Sequence, residues 1–108
     1  MSYNILLTDN FKREAKKLVK KYASLSSELV NLFEQLSENP FLGTALGNDI
    51  YKIRISIASK GKGKSGGARV LTYVKIDDKT ILLFTIYSKG TKDNISDKEI
   101  QTLIKDIL

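Results

Sequence analysis

The chain has 108 residues, enough for one domain with its own hydrophobic core and too few for two. It contains no cysteine and no histidine, which excludes disulfides, thiolate metal sites and the usual neutral-pH acid–base side chain. A net charge of +6 favours an anionic partner such as nucleic acid or an acidic protein. No apolar run approaches membrane-spanning length and no signal-peptide pattern opens the chain, so we predict a cytoplasmic protein with no membrane partner.

The first part of the chain predicts a short strand and a basic helix. Tyr3–Leu7 is apolar, and Thr8 and Asp9 are candidate caps for the helix that follows. The helix has apolar residues at helical spacing, namely Phe11, Ala15, Leu18, Val19 and Tyr22. Its remaining face is basic, with Lys12, Arg13, Lys16, Lys17, Lys20 and Lys21. A solvated face over a packed stripe explains this pattern better than direct contact with RNA or a partner.

A second amphipathic helix follows the first. Ser24 or Ser26 caps its start, and Asn39-Pro40 ends it because proline disfavours helix in the preceding residue. Its core stripe consists of Leu25, Leu29, Leu32, Phe33 and Leu36. The two helices are predicted to form a hairpin. The next residues, FLGTALGND at 41–49, are interpreted as a turn-rich connection rather than a domain linker.

The second half of the chain predicts three strands and a helix. The strands are Ile50–Ala58, Ala68–Ile76 and Thr80–Tyr87, and Asp77–Lys79 closes a tight hairpin between the last two. The third strand is almost wholly apolar, which favours a central position in the sheet. Ser96–Glu99 forms a capping box that opens a C-terminal helix.

The resulting order, β-α-α-β-β-β-α, predicts one α+β domain over residues 1–108. We expect a mostly antiparallel four-stranded sheet with the helical hairpin on one face. Strand alternation then assigns the opposite, exposed face to Lys52, Arg54, Arg69, Tyr73, Lys75, Thr85 and Tyr87. The packed side of the second long strand is assigned to Val70, Thr72, Val74 and Ile76.

The stretch from Lys52 to Arg69 is a candidate site for a phosphate backbone. It contains six basic residues and no acidic one: Lys52, Arg54, Lys60, Lys62, Lys64 and Arg69. The loop KGKGKSGG lacks the Walker spacing and leads into a strand, so a flexible hairpin connection explains it about equally well. Arg69 is more specific, because an arginine directly after two glycines can approach a phosphate together with the backbone. Tyr73 is a candidate for stacking a base, although strand tyrosines are more often half-buried sheet residues.

The pairing of IYKIRIS with GGARVLTYVKIDDKTILLFTIYSK, after a lysine-rich helical hairpin, resembles the RelE/ParE toxin superfamily and its HigB-like branch. This resemblance implies a RelE-like fold and a ribosome-dependent mRNA endonuclease that a cognate antitoxin inhibits. It also implies mRNA and the ribosome as partners. Lys52 and Arg54 match the basic strand positions of the family, and Arg69 matches the arginine after the glycines. Lys89 and Lys92 fall where the family carries further basic residues.

RNA cleavage without metal or cofactor uses the ribose 2′-hydroxyl as nucleophile, so the protein must stabilise charge on the phosphate and assist two proton transfers. We assign the charge to Arg69. Crowding with Arg54 and Lys64 favours the uncharged form of a lysine, so Lys52 is the candidate base. Lys89 or Tyr87 is the candidate acid, and Arg54 completes the five predicted catalytic residues. The predicted RNA-binding residues are Lys60, Lys62, Lys64, Tyr73 and Lys92.

Two other functions fit the same sequence. One is a ParE-like inhibitor of DNA gyrase, and the other is a non-catalytic module that binds RNA or sequesters an antitoxin. The convergent lysines and arginines favour the endonuclease, because a gyrase inhibitor has no evident need for a phosphate site.

Overall fold

The described part of the chain, residues 3–60, 67–88 and 95–105 of a computed structural model, forms one sheet with three α-helices. The elements are β1 (Asn4–Leu7), α1 (Asp9–Lys21), α2 (Leu25–Glu38), β2 (Thr44–Gly47), β3 (Ile50–Ile55), β4 (Ala68–Lys75), β5 (Thr80–Ser88) and α3 (Asp97–Lys105). The strands lie in the order β1-β5-β4-β3-β2. β1 is parallel to β5 and the other neighbours are antiparallel. The predicted α+β class is confirmed.

The sheet has five strands rather than the four predicted, because β2 lies in the stretch interpreted as a turn-rich connection. β2 and β3 form a hairpin whose loop residues, Asn48 and Asp49, have φ angles of 54° and 65°. Two positive φ angles in a two-residue loop define a type I′ turn, whose twist matches that of paired strands. All four residues of β2 are exposed, so this edge strand has no apolar alternation that would identify it in the sequence.

The predicted helical hairpin is confirmed, and it covers one face of the sheet. α1 begins after Thr8, whose Oγ1 accepts a hydrogen bond of 3.1 Å from the Phe11 N–H. The core between the helices and the sheet includes Phe11, Ala15, Leu25, Leu29, Leu32, Leu36, Ile53, Val70, Ile81, Leu83 and Ile86. Within the described ranges, no helix is long and apolar enough to cross a membrane.

α3 covers part of the opposite face. Ile100 and Ile104 pack against Leu71 of β4 and Phe84 of β5. The helix begins after Ser96, whose Oγ accepts a hydrogen bond of 3.2 Å from the Glu99 N–H, as the capping box predicts. β5 is an interior strand that lies between β1 and β4 and is covered on both faces, which explains its apolar sequence. The expectation that the other face lies open to solvent is wrong for the part of β4 and β5 that α3 covers.

A bulge in β5 keeps the polar side chains on the α3 face. Leu71 pairs with Thr85, and the next residue, Thr72, pairs with Leu83, so Phe84 is an extra residue in β5. Both Phe84 and Thr85 consequently point away from the helical hairpin. Without the extra residue, every side chain beyond it would change faces.

The predicted packed side of β4 is correct except at its end. Val70, Thr72 and Val74 are buried, but Ile76 is 53% exposed. Ile76 lies beyond the last paired residue, and its carbonyl oxygen accepts a hydrogen bond from the Lys79 N–H in the β4–β5 turn. The alternation of a strand does not extend into the turn that closes it.

The start of β4 lies unusually close to the end of β3. β3 ends at Ile55 rather than at the predicted Ala58, and residues 58–60 form a short 3₁₀ helix. A Cβ atom built on Gly67 would overlap the carbonyl group of Ile55. The residue before Ala68 must therefore be glycine for steric reasons.

We predict that Gly67→Ala destabilises the protein by about 1–3 kcal/mol, the usual range for overpacking. Gly47→Ala is the comparison variant, because a Cβ atom there meets nothing within 4 Å and only the φ angle of 91° opposes it. Urea unfolding of both variants measures the difference. A Gly67→Ala variant as stable as the parent would contradict the close approach.

Candidate functional site

The three central strands extend beyond both edge strands at the same end of the sheet. β1 pairs with β5 only as far as Leu83, and β2 pairs with β3 only as far as Lys52. Past these points, residues 53–55 pair with 68–70 and residues 68–70 pair with 86–88, and neither described edge strand pairs with them. We call this three-stranded region the open end of the sheet.

A row of polar side chains crosses the open end on the α3 face. Arg54 pairs with Arg69, and Arg69 pairs with Tyr87. Lys52 pairs with Leu71 and is therefore diagonal to Arg69. Residues in diagonal positions on neighbouring strands are about 7–8 Å apart. These four residues, Lys52, Arg54, Arg69 and Tyr87, are called the open-end cluster. They are four of the five residues predicted to be catalytic.

Arg69 is the buried centre of the open-end cluster. Only 5% of its surface is exposed, and its Nη1 donates a hydrogen bond of 3.2 Å to the Ala68 carbonyl oxygen. Burial lowers the pKa of Arg69 below its ordinary value, the charge of Arg54 lowers it further, and Tyr87 opposes both effects. The guanidinium still remains charged at neutral pH, because arginine does not lose its proton in proteins. Two like charges opposite each other in a sheet repel, and a bound anion relieves that repulsion.

A groove of about 480 Å³ follows the open edge of β3. Its lining includes side chains from both faces of the strand, Lys52 and Arg54 on one and Ile53 and Ile55 on the other. The opposite wall comes from α2, through Glu28, Asn31, Leu32 and Gln35. Within the described ranges, neither Lys52 nor Arg54 forms an ion pair with a carboxylate. An anion that enters this groove meets Arg54 first and Arg69 one strand further in.

A second groove, of about 510 Å³, lies at the open edge of β5 between α1 and α3. Thr85, Ile86 and Tyr87 line it from the sheet. Asn10 and Glu14 line it from α1. The open-end cluster therefore crosses the sheet from one groove to the other, with Tyr87 at the second groove.

Tyr73 lies on the same face as the cluster but not beside it. It pairs with Ile50 and Leu82 and packs against the apolar residues beneath α3. Four strand positions separate it from Arg69, which corresponds to about 13 Å. The structure places Tyr73 in the half-buried position common for strand tyrosines.

The other predicted site residues lie outside the described residues. Lys62, Lys64, Lys89 and Lys92 fall in the ranges 61–66 and 89–94, and the side chain of Lys60 is likewise not described. Their roles stay predictions. In the described ranges, no group of three or more carboxylates is placed to hold a metal ion.

Glu28 and Ser24 form a polar clamp that the sequence did not reveal. The Ala58 N–H donates to Glu28 Oε2 at 2.7 Å, and Ser24 Oγ donates to Glu28 Oε1 at 3.1 Å. The Ser59 N–H donates to Ser24 Oγ at 3.0 Å. The clamp joins the start of α2 to the chain that leaves β3, so it fixes the β3 side of the first groove. Its only signal in the sequence is a glutamate four residues after a serine at a helix start, which also fits a simple surface pair.

The family model described as "RelE toxin of RelE / RelB toxin-antitoxin system" matches residues 3–106. The chain belongs to the RelE toxin family. The predicted RelE/ParE superfamily is thereby confirmed, while the HigB-like branch stays a prediction.

Solved structures of RelE proteins share this fold at low sequence identity. A variant of the Escherichia coli toxin RelE in which two arginines are replaced by alanine matches in its free state with a TM-score of 0.67 and 17% identity, covering 100% of both chains. The same variant bound to an antitoxin RelB peptide matches with a TM-score of 0.62 and 16% identity, covering 94% of this chain and 93% of that one. The RelBE2 toxin–antitoxin complex of Mycobacterium tuberculosis matches with a TM-score of 0.60 and 18% identity, covering 82% of this chain and 99% of that one.

We predict that Glu28→Ala loosens the β3 side of the groove in this RelE-family chain. The variant loses two hydrogen bonds to a carboxylate, each of which contributes about 1.5–3 kcal/mol when well formed. The exposed setting reduces that contribution, and the expected result is faster amide hydrogen exchange at Ala58 and Ser59 with a small loss of global stability. Glu34→Ala on the same helix is the control. Unchanged exchange at both amides in Glu28→Ala would contradict the clamp.

Proposed function

We propose that this RelE-family chain is the toxin of a toxin–antitoxin pair and that it cleaves mRNA on the ribosome. The open-end cluster carries the proposal, because it brings three cations and a phenol onto one strip of sheet that two grooves flank. A polyanion is the natural ligand of such a strip, because each phosphate it binds reduces the repulsion between Arg54 and Arg69.

The reaction that fits the cluster is internal transesterification. The ribose 2′-oxygen attacks the phosphorus, the bond from phosphorus to the 5′-oxygen breaks, and the products are a 2′,3′-cyclic phosphate and a 5′-hydroxyl. Negative charge accumulates on the phosphate in the transition state. The Arg69 guanidinium stabilises that charge from a buried position, where charge-assisted hydrogen bonds are stronger than in water.

Two proton transfers accompany the reaction, one from the 2′-hydroxyl and one to the leaving 5′-oxygen. In-line displacement places these two oxygens on opposite sides of the phosphorus. Lys52 and Tyr87 also lie on opposite sides of Arg69, since they belong to β3 and β5. This placement supports Lys52 as the base and Tyr87 as the acid, and Lys89 remains the other predicted acid.

A cationic cluster is a poor site for a divalent metal, because like charges repel. We therefore propose a metal-independent reaction. The aromatic ring of the cluster, Tyr87, is buried and is assigned to proton transfer, and Tyr73 lies about 13 Å along the strand from Arg69, so neither ring is placed to stack a base beside the bound phosphate. This incomplete hold on a single strand supports dependence on the ribosome, whose RNA can position the mRNA.

An acidic antitoxin is the partner that fits the same surface. Solved RelE structures include complexes with antitoxin chains. An acidic segment bound across the open end would neutralise Lys52, Arg54 and Arg69 and block both grooves. Inhibition then results from direct competition with mRNA for the cluster.

We predict that Arg69→Ala abolishes toxicity while the protein stays folded. Loss of one charge-assisted contact in the transition state costs about 2–4 kcal/mol, or roughly two to three decades in rate. Induced expression with mapping of mRNA 5′ ends measures the effect. Arg69→Lys, which keeps the charge but not the two parallel donors, should be intermediate. Lys105→Ala on α3 is the control for loss of one cation elsewhere. A folded Arg69→Ala protein that cleaves at the parent rate would refute the assignment.

We predict 2′,3′-cyclic phosphate or 3′-phosphate ends and 5′-hydroxyl ends on RNA cut in a translating extract. The reason is that the ribose supplies the nucleophile, so no metal-bound water is needed for the attack. A 2′-deoxy substitution at the cut position should prevent it. Products with 5′-phosphates that form only with added divalent metal would refute the mechanism, and gyrase inhibition without RNA cleavage would favour the ParE-like alternative.

A further inference from the structure

The positive charge of the chain is concentrated in two places. Residues 52–69 hold six basic and no acidic residues, and α1 holds six basic and two acidic ones. The remainder of the chain has six basic and ten acidic residues, so its own net charge is negative. The first concentration supplies the three cations of the open-end cluster and the predicted RNA-binding residues Lys60, Lys62 and Lys64, whereas the second has no assigned role.

The basic residues of α1 form one continuous surface, called here the α1 stripe: Lys12, Arg13, Lys16, Lys17, Lys20 and Lys21. All six are exposed, and at 3.6 residues per turn they span an arc of about 180°. Lys17 pairs with Glu14, and Lys21 lies over the Tyr22 ring. Within the described ranges, Lys12, Lys16 and Lys20 have neither a carboxylate nor a ring partner. These three follow one another at intervals of four residues, an axial rise of about 6 Å per step.

The α1 stripe and the open-end cluster lie on opposite sides of the sheet. The apolar side of α1 packs on β5 through Phe11 and Ala15, within the core on the hairpin face. Arg69 and its neighbours belong to the α3 face. A short single strand bound at the cluster therefore cannot also follow the stripe, so an anion on the stripe is a second ligand or a second part of a large one.

We propose that the α1 stripe docks onto the phosphate backbone of double-helical RNA. A helix that carries lysines at regular spacing suits the regular phosphates of a duplex, where contacts to the backbone fix position without reading sequence. The ribosome is the source of such a duplex under the proposed function, and the stripe would then hold the protein while mRNA enters the open end. Only the identification of the ribosome as the source of the duplex rests on the proposed function.

A protein partner fits the stripe less well. Cores of protein interfaces are enriched in aromatic residues, methionine and arginine and depleted in lysine. Five of the six residues in the stripe are lysine, and no large exposed apolar residue lies on α1 in the described structure. The exposed apolar side chains are elsewhere, at Leu6, Val30, Phe41, Leu46 and Ile76.

Single-stranded RNA and membranes fit less well for related reasons. Unpaired bases are usually held by aromatic stacking, and the aromatic residues of this segment, Phe11 and Tyr22, face the core. A basic amphipathic helix enters a membrane surface with its apolar side, and that side of α1 is already packed on the sheet. Duplex RNA requires only the cationic face that α1 presents.

The test compares four proteins for binding to an RNA duplex of about 16 base pairs and to purified ribosomes. The first is the parent, and the second carries Lys12→Gln, Lys16→Gln and Lys20→Gln. The third carries arginine at the same three positions. The fourth removes the same charge elsewhere, with Lys75→Gln, Lys79→Gln and Lys105→Gln. Glutamine and arginine are both good helix formers, and circular dichroism verifies that each variant is folded.

We expect the α1 glutamine variant to bind duplex and ribosomes roughly tenfold to a hundredfold more weakly than the parent. Between about 50 and 200 mM salt, the slope of log K against log salt should become shallower by about 2 to 3, since about 0.9 is lost for each phosphate contact. The arginine variant should bind like the parent, and so should the fourth protein. Equal binding by the second and fourth proteins would overturn the proposal. So would a variant that loses antitoxin binding but keeps ribosome binding, because the stripe would then serve a protein partner.

The same assays separate this proposal from the proposed function. A parent protein that binds duplex through the stripe but never cuts mRNA supports the docking surface and refutes the endonuclease. Cleavage that Arg69→Ala abolishes and the α1 glutamine variant leaves unchanged, with ribosome binding also unchanged, supports the endonuclease and refutes the docking surface.

Discussion

The unequal length of the strands is the constraint on which the site depends. β1 and β2 are four residues each, whereas β4 and β5 have eight and nine. Because both edge strands end short, the described pairing of β1 with β5 and of β2 with β3 stops before the open end. Open strand edges attract other chains, and proteins cover or charge them. Here the first turn of α1 covers part of β5, where Thr8 N–H and the Asn10 amide donate to the carbonyl oxygens of Leu83 and Phe84. The Ser24 and Glu28 clamp borders the edge of β3. The basic side chains there oppose pairing with another strand.

The same end of the sheet holds an electrostatic arrangement that opposes folding. Arg69 is buried, faces Arg54 and has a lowered pKa, so the charged form is less favourable there than in water. The surrounding structure compensates for this. Apolar clusters pack on both faces of β5, and residues such as Leu83, Phe84 and Ile86 are almost fully buried beside the site. Hydrophobic burial of this kind contributes about 1.5–3 kcal/mol for each large side chain. The site is thus a local instability that a well-packed sheet tolerates, as expected where function requires converging charge.

The sequence predicts much of this architecture because the relevant signals are local. Helical spacing identifies α1, α2 and α3, and alternation in β3 and β4 places Lys52, Arg54 and Arg69 on one face. What the sequence could not predict depends on contacts between distant residues. β2 is fully exposed and has no pattern, Glu28 bonds to a backbone 30 positions away, and the burial of Arg69 depends on how the strands and α3 come together. Gly67 resembled a flexible turn residue because sterics imposed by Ile55 are not visible in a linear sequence. Tyr73 lies on the predicted face of β4 but about 13 Å along the strand from Arg69. Alternation predicts the face of a strand on which a side chain lies and not its distance from the site.

A sheet with a basic surface on each side can engage one large anionic body at two places without competition between them. The two surfaces also differ in what they can recognise. The open-end cluster includes a buried arginine whose geometry is fixed by strand pairing, so it suits a single phosphate held in one orientation. The α1 stripe consists of exposed, flexible side chains, so it suits a phosphate backbone in any register. Binding through the stripe is expected to depend steeply on salt, whereas an anion at Arg69 is screened much less, because screening is weaker for buried charges. The two proposed roles are therefore expected to respond differently to ionic strength, because Arg69 is buried and the lysines of the α1 stripe are exposed.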